Sequence, residues 1–237
     1  MSQPLIEVRD LHFQYEDGTA ALHGVNFRLF PGETVALLGA NGSGKTTFVL
    51  HLNGLLAGAG EVTVCGMAVG KETLPAIRQK IGLVFQDSDN QLFMPTVLED
   101  VAFGPLNLGL EREQALQRAR SALDLVGISA AAQKAPYHLS AGEKKRVAIA
   151  GILAMQPDIL VLDEPTTFLD PPGQRALADL LASLPQAKIL VTHDVEFAAA
   201  MCGRAVFFEK GTVAGEGTVT EIVRRFGWTQ TQCAQDR

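Results

Sequence analysis

Two stretches of this sequence combine residue types suited to handling phosphate. The first is Gly39-Ala40-Asn41-Gly42-Ser43-Gly44-Lys45-Thr46, which fits G-x-x-x-x-G-K-[ST]. Its glycines let the backbone turn sharply and approach a ligand closely. Successive N–H groups, with the N-terminus of a following helix, then point at negative charge. Lys45 is placed to reach β- and γ-phosphates, and the Thr46 hydroxyl to sit on Mg²⁺. Asn41, Ser43 and Thr47 complete the expected cradle. The second stretch is Asp163-Glu164, which follows the apolar run Ile159 to Leu162. Carboxylates at the C-terminal end of a buried parallel strand stand beside the phosphate loop in open α/β sheets. Asp163 suits support of Mg²⁺ through water. Glu164 is one residue on and so aimed differently, which suits a base that polarises an attacking water. By itself the pair reads equally well as an acidic strand-ending turn. The phosphate loop elsewhere in the chain favours the chemical reading.

These residues need a frame. Thr34 to Leu38 is a short apolar run ending at Gly39, as expected of a buried strand entering a tight loop. Thr46 to Leu52 reads as a helix that Gly54 stops. Short β-like runs, Ile6 to Val8 and Val25 to Leu29, flank the turn Glu16-Asp17-Gly18. Residues 61–70 predict another β excursion, and Ile81 to Phe85 a buried strand. Glu111 to Val126 has helical spacing, with Leu116, Ala119, Leu123 and Val126 on one face. A second helix is expected from about Ala141 to Met155. Ile159 to Leu162 and Lys188 to Thr192, with a helix over Gly173 to Leu184 between them, form a βαβ unit and imply parallel strands. The fold class is therefore α/β: a P-loop core with a parallel sheet, an N-terminal antiparallel β layer and a helical insertion.

Composition narrows the setting. The apolar fraction is 47%, the charged fraction 19% and the net charge −6, so nothing points to nucleic acid as a partner. The three cysteines, Cys65, Cys202 and Cys233, are scattered, which disfavours a disulfide framework. Residues 1–4 carry no basic segment ahead of an apolar one. The longest strongly apolar run, Val147 to Met155, falls far short of the ~20 residues of a spanning helix. The chain is expected not to cross a membrane itself.

Further motifs carry a resemblance. Leu139-Ser140-Ala141-Gly142-Glu143 is similar to the LSGGQ signature of ABC ATPases, and Ser140 with Glu143 also forms S-x-x-E, a helix capping box. The whole set resembles the ABC ATPase family across nearly the full chain. The resemblance implies that Ser140 and Gly142 bind the γ-phosphate of ATP held by a second ATPase subunit. Gln86 resembles the Q-loop glutamine, which touches Mg²⁺ or the attacking water. His193 resembles the switch histidine that contacts the γ-phosphate, and Tyr15 the aromatic ring under adenine. Thr167-Phe168-Leu169-Asp170 resembles the D-loop, with Leu169 and Asp170 as strict matches. Two departures stand out: Ala141 replaces the usual Gly, and Glu143 the common Gln. Glu143 would bring negative charge near ATP unless it turned back onto its cap.

The segment Phe85 to Pro105 is most like the ATPases of energy-coupling-factor importers, with Ser88 in place of a usual Pro. The run Leu139 to Ala150 is most like the cobalt and nickel members; the alternatives are a biotin or other vitamin importer, an unrelated ABC transporter and, behind these, a soluble non-transport ABC ATPase. The resemblance implies an ATPase using ATP and Mg²⁺, with Glu164, His193 and Gln86 as catalytic residues. Thr46, Gln86 and Asp163 would be its metal ligands. It implies a homodimer, a transmembrane coupling subunit, a substrate-binding membrane subunit, and a peripheral place at the cytoplasmic face of the cell membrane. Residues 1–229 are expected to form one ATPase domain with a helical subdomain at about 87–156, followed by a polar tail at 230–237. Leu92, Phe93, Met94, Val97, Leu98, Val101 and Phe103 are expected to divide between core and a docking groove. Asp87, Asp89, Glu99 and Asp100 are expected at its acidic rim.

Overall fold

The computed structural model describes residues 3–87 and 91–228. Ser88, Asp89 and Asn90 and the expected tail lie outside the described residues.

Among the described residues, ten strands make two sheets. In the first, β1 (Ile6–Gln14) pairs antiparallel with β2 (Ala20–Leu29) and with β4 (Ala59–Val64), and β4 pairs with the short β5 (Met67–Ala68). This is the expected antiparallel layer. The second sheet contains β3 (Thr34–Leu38), β6 (Ile81–Val84), β7 (Ile159–Asp163), β8 (Ala187–Val191), β9 (Arg204–Glu209) and β10 (Thr212–Gly217). Its order is β10-β9-β3-β8-β7-β6. The strands from β9 to β6 run parallel, and β10 adds an antiparallel edge. The sheet is thus mixed, because the β9–β10 hairpin turns back at Lys210-Gly211.

The parallel strands read as unbroken apolar runs because both faces are covered. Ala36, Leu38, Leu160, Leu162 and Leu190 enter one core, while Val35, Leu37, Ile159, Val161 and Ile189 enter the other. The second core lies between the two sheets and includes α1 (Lys45–Leu52). Phe48 of α1 is fully buried, 5.3 Å from the ring of Phe27 and 5.3 Å from that of Phe208. It ties the loop's helix to both sheets, and truncation to Ala would cost ~3–5 kcal/mol.

The first core is capped by helices. After α2 (Leu74–Lys80) come α3 (Val97–Asn107), α4 (Arg112–Leu125) and α5 (Ala141–Ala154), packed against one another. Then α6 (Pro171–Ser183), α7 (Val195–Met201) and α8 (Val219–Phe226) complete this side. Ala119, Leu123 and Val126 are buried along α4 and its C-cap, with Leu116 at the margin. The capping box is present: Ser140 Oγ accepts from the Glu143 N–H while the Glu143 carboxylate accepts from the Ser140 N–H.

Candidate functional site

Four elements of the parallel sheet deliver candidate residues to its carboxyl-terminal edge. Gly39 follows β3, Gln86 lies just beyond β6, Asp163 ends β7, and Thr192-His193 follow β8. The register aligns these ends, with Val84 opposite Leu162, Asp163 opposite Val191, and Leu37 opposite Val191. Carboxyl ends of parallel strands are where open α/β sheets place their ligands.

The loop between β3 and α1 needs its glycines. Gly39 has φ 137°, and a Cβ there would overlap the carbonyl oxygen of Phe208. Gly44 has φ 103°, and a Cβ would sit 2.8 Å from the Ala21 carbonyl oxygen. Lys45, buried, donates to the carbonyls of Gly39 at 2.6 Å and Ala40 at 2.8 Å, so the loop closes around the ammonium group. Asn41, Gly42 and Thr46 are exposed, and Ser43 and Thr47 are buried.

Thr46 and Asp163, 117 positions apart, meet: Thr46 Oγ1 donates to Asp163 Oδ2 at 3.2 Å. Burial pushes the Asp163 carboxyl above the ordinary carboxylate range. The neighbouring Glu164 charge adds to this, and the Thr46 hydroxyl and the ammonium groups of Lys45 and Lys145 oppose it. Glu164 takes the left-handed φ of 46°, pinned by its N–H donating to Val191 O at 2.8 Å. Its carboxylate therefore turns away from Thr46 toward His193, whose Nδ1 lies 2.8 Å from Oε2. The Thr192 hydroxyl donates to the same oxygen at 3.4 Å. Adjacent carboxylates thus face a hydroxyl on one side and an imidazole on the other. This contact orients the His193 ring.

Tyr15, half-exposed just past β1, has its hydroxyl 2.9 Å from Thr47 Oγ1, one residue beyond the loop. Gln86 is exposed beyond β6. The strand end before it is held by Gln91, which accepts from the Phe85 N–H at 2.9 Å and donates to Leu83 O at 3.2 Å. Ser140 and Gly142 head α5, where the Ser140 hydroxyl bonds Glu143, so that the carboxylate is turned back onto the cap. Asp170 caps α6 through the Gly173 N–H at 2.9 Å. Within one chain the structure therefore joins the loop, Asp163, Glu164, His193 and Tyr15. Ser140, Gly142 and Asp170 make helix-end contacts of their own.

Two residues at the site escaped the motif reading. Thr192 is fully buried beneath Glu164, and Lys145 is buried on α5. Lys145 had a readable signal: it shares a helical face with Ala148 and Ile149, so a cation stands on an apolar stripe. The acidic-rim expectation needs correction. Asp100 is buried, accepts from the Met94 N–H at 2.8 Å, and burial raises its pKa. Glu99 takes the Thr96 hydroxyl at the start of α3. Asp89 lies outside the described residues.

The loop, the paired carboxylates and the oriented imidazole at one sheet edge define a P-loop nucleotide hydrolase. The family model described as ABC transporter matches residues 22–167, and the chain belongs to that family as an ATP-hydrolysing subunit. A putative ABC transporter ATP-binding protein of Streptomyces avermitilis is 52% identical over 224 residues, covering 94% of this chain and 86% of that one. The energy-coupling factor transporter ATP-binding protein EcfA of Methanothermobacter thermautotrophicus is 51% identical over 226 residues, covering 93% of this chain and 73% of that one. Among solved structures, cbiO1 of Clostridium perfringens, described as part of the ABC transporter complex cbiONQ, is 35% identical with a TM-score of 0.84. That match covers 98% of this chain and 97% of the other. The dimeric cassette MJ0796 is 30% identical with a TM-score of 0.80, covering 90% of this chain and 98% of that one.

Proposed function

We propose that this chain energises an importer of the energy-coupling-factor type, with cobalt or nickel as cargo. One observation carries the transport reading: an apolar groove of about 320 Å³ beside the segment after Gln86. Leu92, Phe93, Phe103, Ile152 and Met155 line it. Phe93 is 62% exposed and meets Phe103 edge to face at 4.9 Å. Val97, Leu98 and Val101 of the same stretch are core. Exposed aromatics with a methionine suit an amphipathic helix of a membrane coupling subunit. Of the acidic residues expected at the rim, Asp100 is among those lining the groove, although it is buried, and Asp87 is exposed outside that lining. The metal cargo is supported by the run Gly142 to Val147 and by the likeness to cbiO1. Biotin or another vitamin is the alternative.

In this reading Glu164 is the base, and Gln86 and His193 address the water and the γ-phosphate. Tyr15 lies under adenine, and Asn41 to Thr47 cradle the phosphates. The hydroxyl of Thr46, the carboxylate of Asp163 and the amide oxygen of Gln86 are hard oxygen donors, which fits Mg²⁺. Mg²⁺ bound there would neutralise charge on the phosphate oxygens. ATP and water would supply the remaining ligands. A second copy would bring Ser140, Gly142 and Asp170 to the phosphates, and the dimeric cassette at 30% identity supports that arrangement. Residues 1–229 would act as one ATPase domain with its helical subdomain at about 87–156. The chain would sit peripherally on the cytoplasmic face beside a substrate-binding membrane subunit; no helix of the described residues is long and apolar enough to cross a membrane. The test pairs Phe93→Glu with Phe103→Glu. Basal ATPase should persist while co-purification with the coupling subunit is lost. Normal assembly would place docking elsewhere. Uptake of radiolabelled cobalt, nickel and biotin by the reconstituted complex decides the cargo.

A further inference from the structure

Lys145 sits in the second turn of the helix that Ser140 heads, and only 3% of it is exposed. Its ammonium group donates to the Gln86 carbonyl at 2.7 Å and to the Phe85 carbonyl at 3.3 Å. The negative charges acting on it are Asp163, Asp87 and Glu164. Burying a cation is costly, and a well-packed apolar side chain is commonly neutral or stabilising in such a place. The peptide leading to Gln86 is held at two points. Gln91 takes the Phe85 N–H from the strand side, and Lys145 takes the two carbonyls from α5. The second point belongs to the helix whose first turn carries Ser140 and Gly142, and Gly142 itself lies against Leu169.

We propose that Lys145 is a positioning residue that locks Gln86 to the Ser140 helix, so that a shift of that helix moves the glutamine at the hydrolytic centre. A second nucleotide-bound subunit engaging Ser140 would thereby set Gln86, and withdrawal of α5 would pull it away. The inference rests on the role proposed above for Gln86.

The test compares Lys145→Met, Gln86→Ala and the double variant in the full-length ATPase with ATP and Mg²⁺. Hydrolysis, ATP affinity and Tm are measured for each. Lys145→Met should lower kcat by about 3- to 30-fold, the range for residues that couple sites without touching ligand. KM and Tm should stay close to wild type. The double variant should be no more than about 3-fold slower than Gln86→Ala alone, because both changes remove one linkage. Lys145→Gln keeps a donor without the charge and should recover part of the rate. It also serves the comparison if the methionine variant folds poorly. Wild-type kcat in Lys145→Met, or losses that multiply fully with Gln86→Ala, would overturn the positioning role and leave Gln86 intact. Wild-type kcat in Gln86→Ala would overturn both.

Discussion

Glu164→Gln separates chemistry from binding more cleanly than any other single change here. The Glu164 side chain is 12% exposed, and one oxygen takes both the His193 ring at 2.8 Å and the Thr192 hydroxyl at 3.4 Å. A glutamine has the same shape and offers an acceptor oxygen to the same donors. The fold should therefore change by no more than ~1 kcal/mol, the net scale of one hydrogen bond. What disappears is the negative charge and the proton acceptor. A positioned base is worth about 10²–10⁴ in rate, or ~2.7–5.5 kcal/mol at 1.36 kcal/mol per decade. ATP affinity should hold or rise, since Lys45 and the loop are untouched and one negative charge near the phosphates is gone. Phosphate release at saturating ATP, calorimetric ATP binding and a thermal melt measure the three quantities. Turnover within about tenfold of wild type, in a variant that binds ATP and melts normally, would refute the base assignment.

Other changes probe the frame around that chemistry. Gly39→Ala places a Cβ on the Phe208 carbonyl at a φ of 137°. It should cost at least ~2 kcal/mol and abolish ATP binding, checked by denaturation and calorimetry. Lys45→Ala removes the charge the loop wraps and should weaken ATP binding itself; an unchanged Kd would contradict that role. His51 donates from Nδ1 to the Thr47 carbonyl at 2.7 Å, and its buried Nε2 has no hydrogen-bond partner among the described residues. Burial holds its pKa below the ordinary 6.5. The unfolded chain then takes up this proton before the folded one does. The stabilising contribution is complete above 6.5 and is lost as pH falls through the lower folded value. Denaturation midpoints at about pH 7.5 and about pH 5.5 should drop more in wild type than in His51→Phe; equal drops would exclude His51 as the cause.

Much of this protein was legible because its signals are local. A glycine-rich loop between an apolar run and a helix, two carboxylates ending a strand, and Ser140 three residues before Glu143 need only short stretches of chain to declare themselves. The helix at 141–154 and the βαβ unit of β7, α6 and β8 followed from periodicity, which records the apolar faces. The hairpin β9–β10 and the helix α2 carry weaker local patterns, and they appear only once the sheet provides neighbours to pack on, whereas α3 and α8 had local start signals, Thr96 with Glu99 and Thr218 with Glu221, that went unread.

The destination of charged side chains was a tertiary matter throughout. Asp100 looked like a surface acid, yet it is buried as an acceptor for the Met94 N–H. Lys145 had no role assigned from the sequence, yet its ammonium group donates to the Gln86 carbonyl. The sequence by itself determined which residues can bind phosphate and accept a proton, because that depends on residue type and short spacing. Their meeting was decided by the fold. Thr46 reaches Asp163 through the register of parallel strands, and Glu164 faces His193 because its backbone takes a left-handed turn that β8 pins in place. Long-range strand pairing and the burial of charge depend on partners far along the chain, and no short window of sequence contains them.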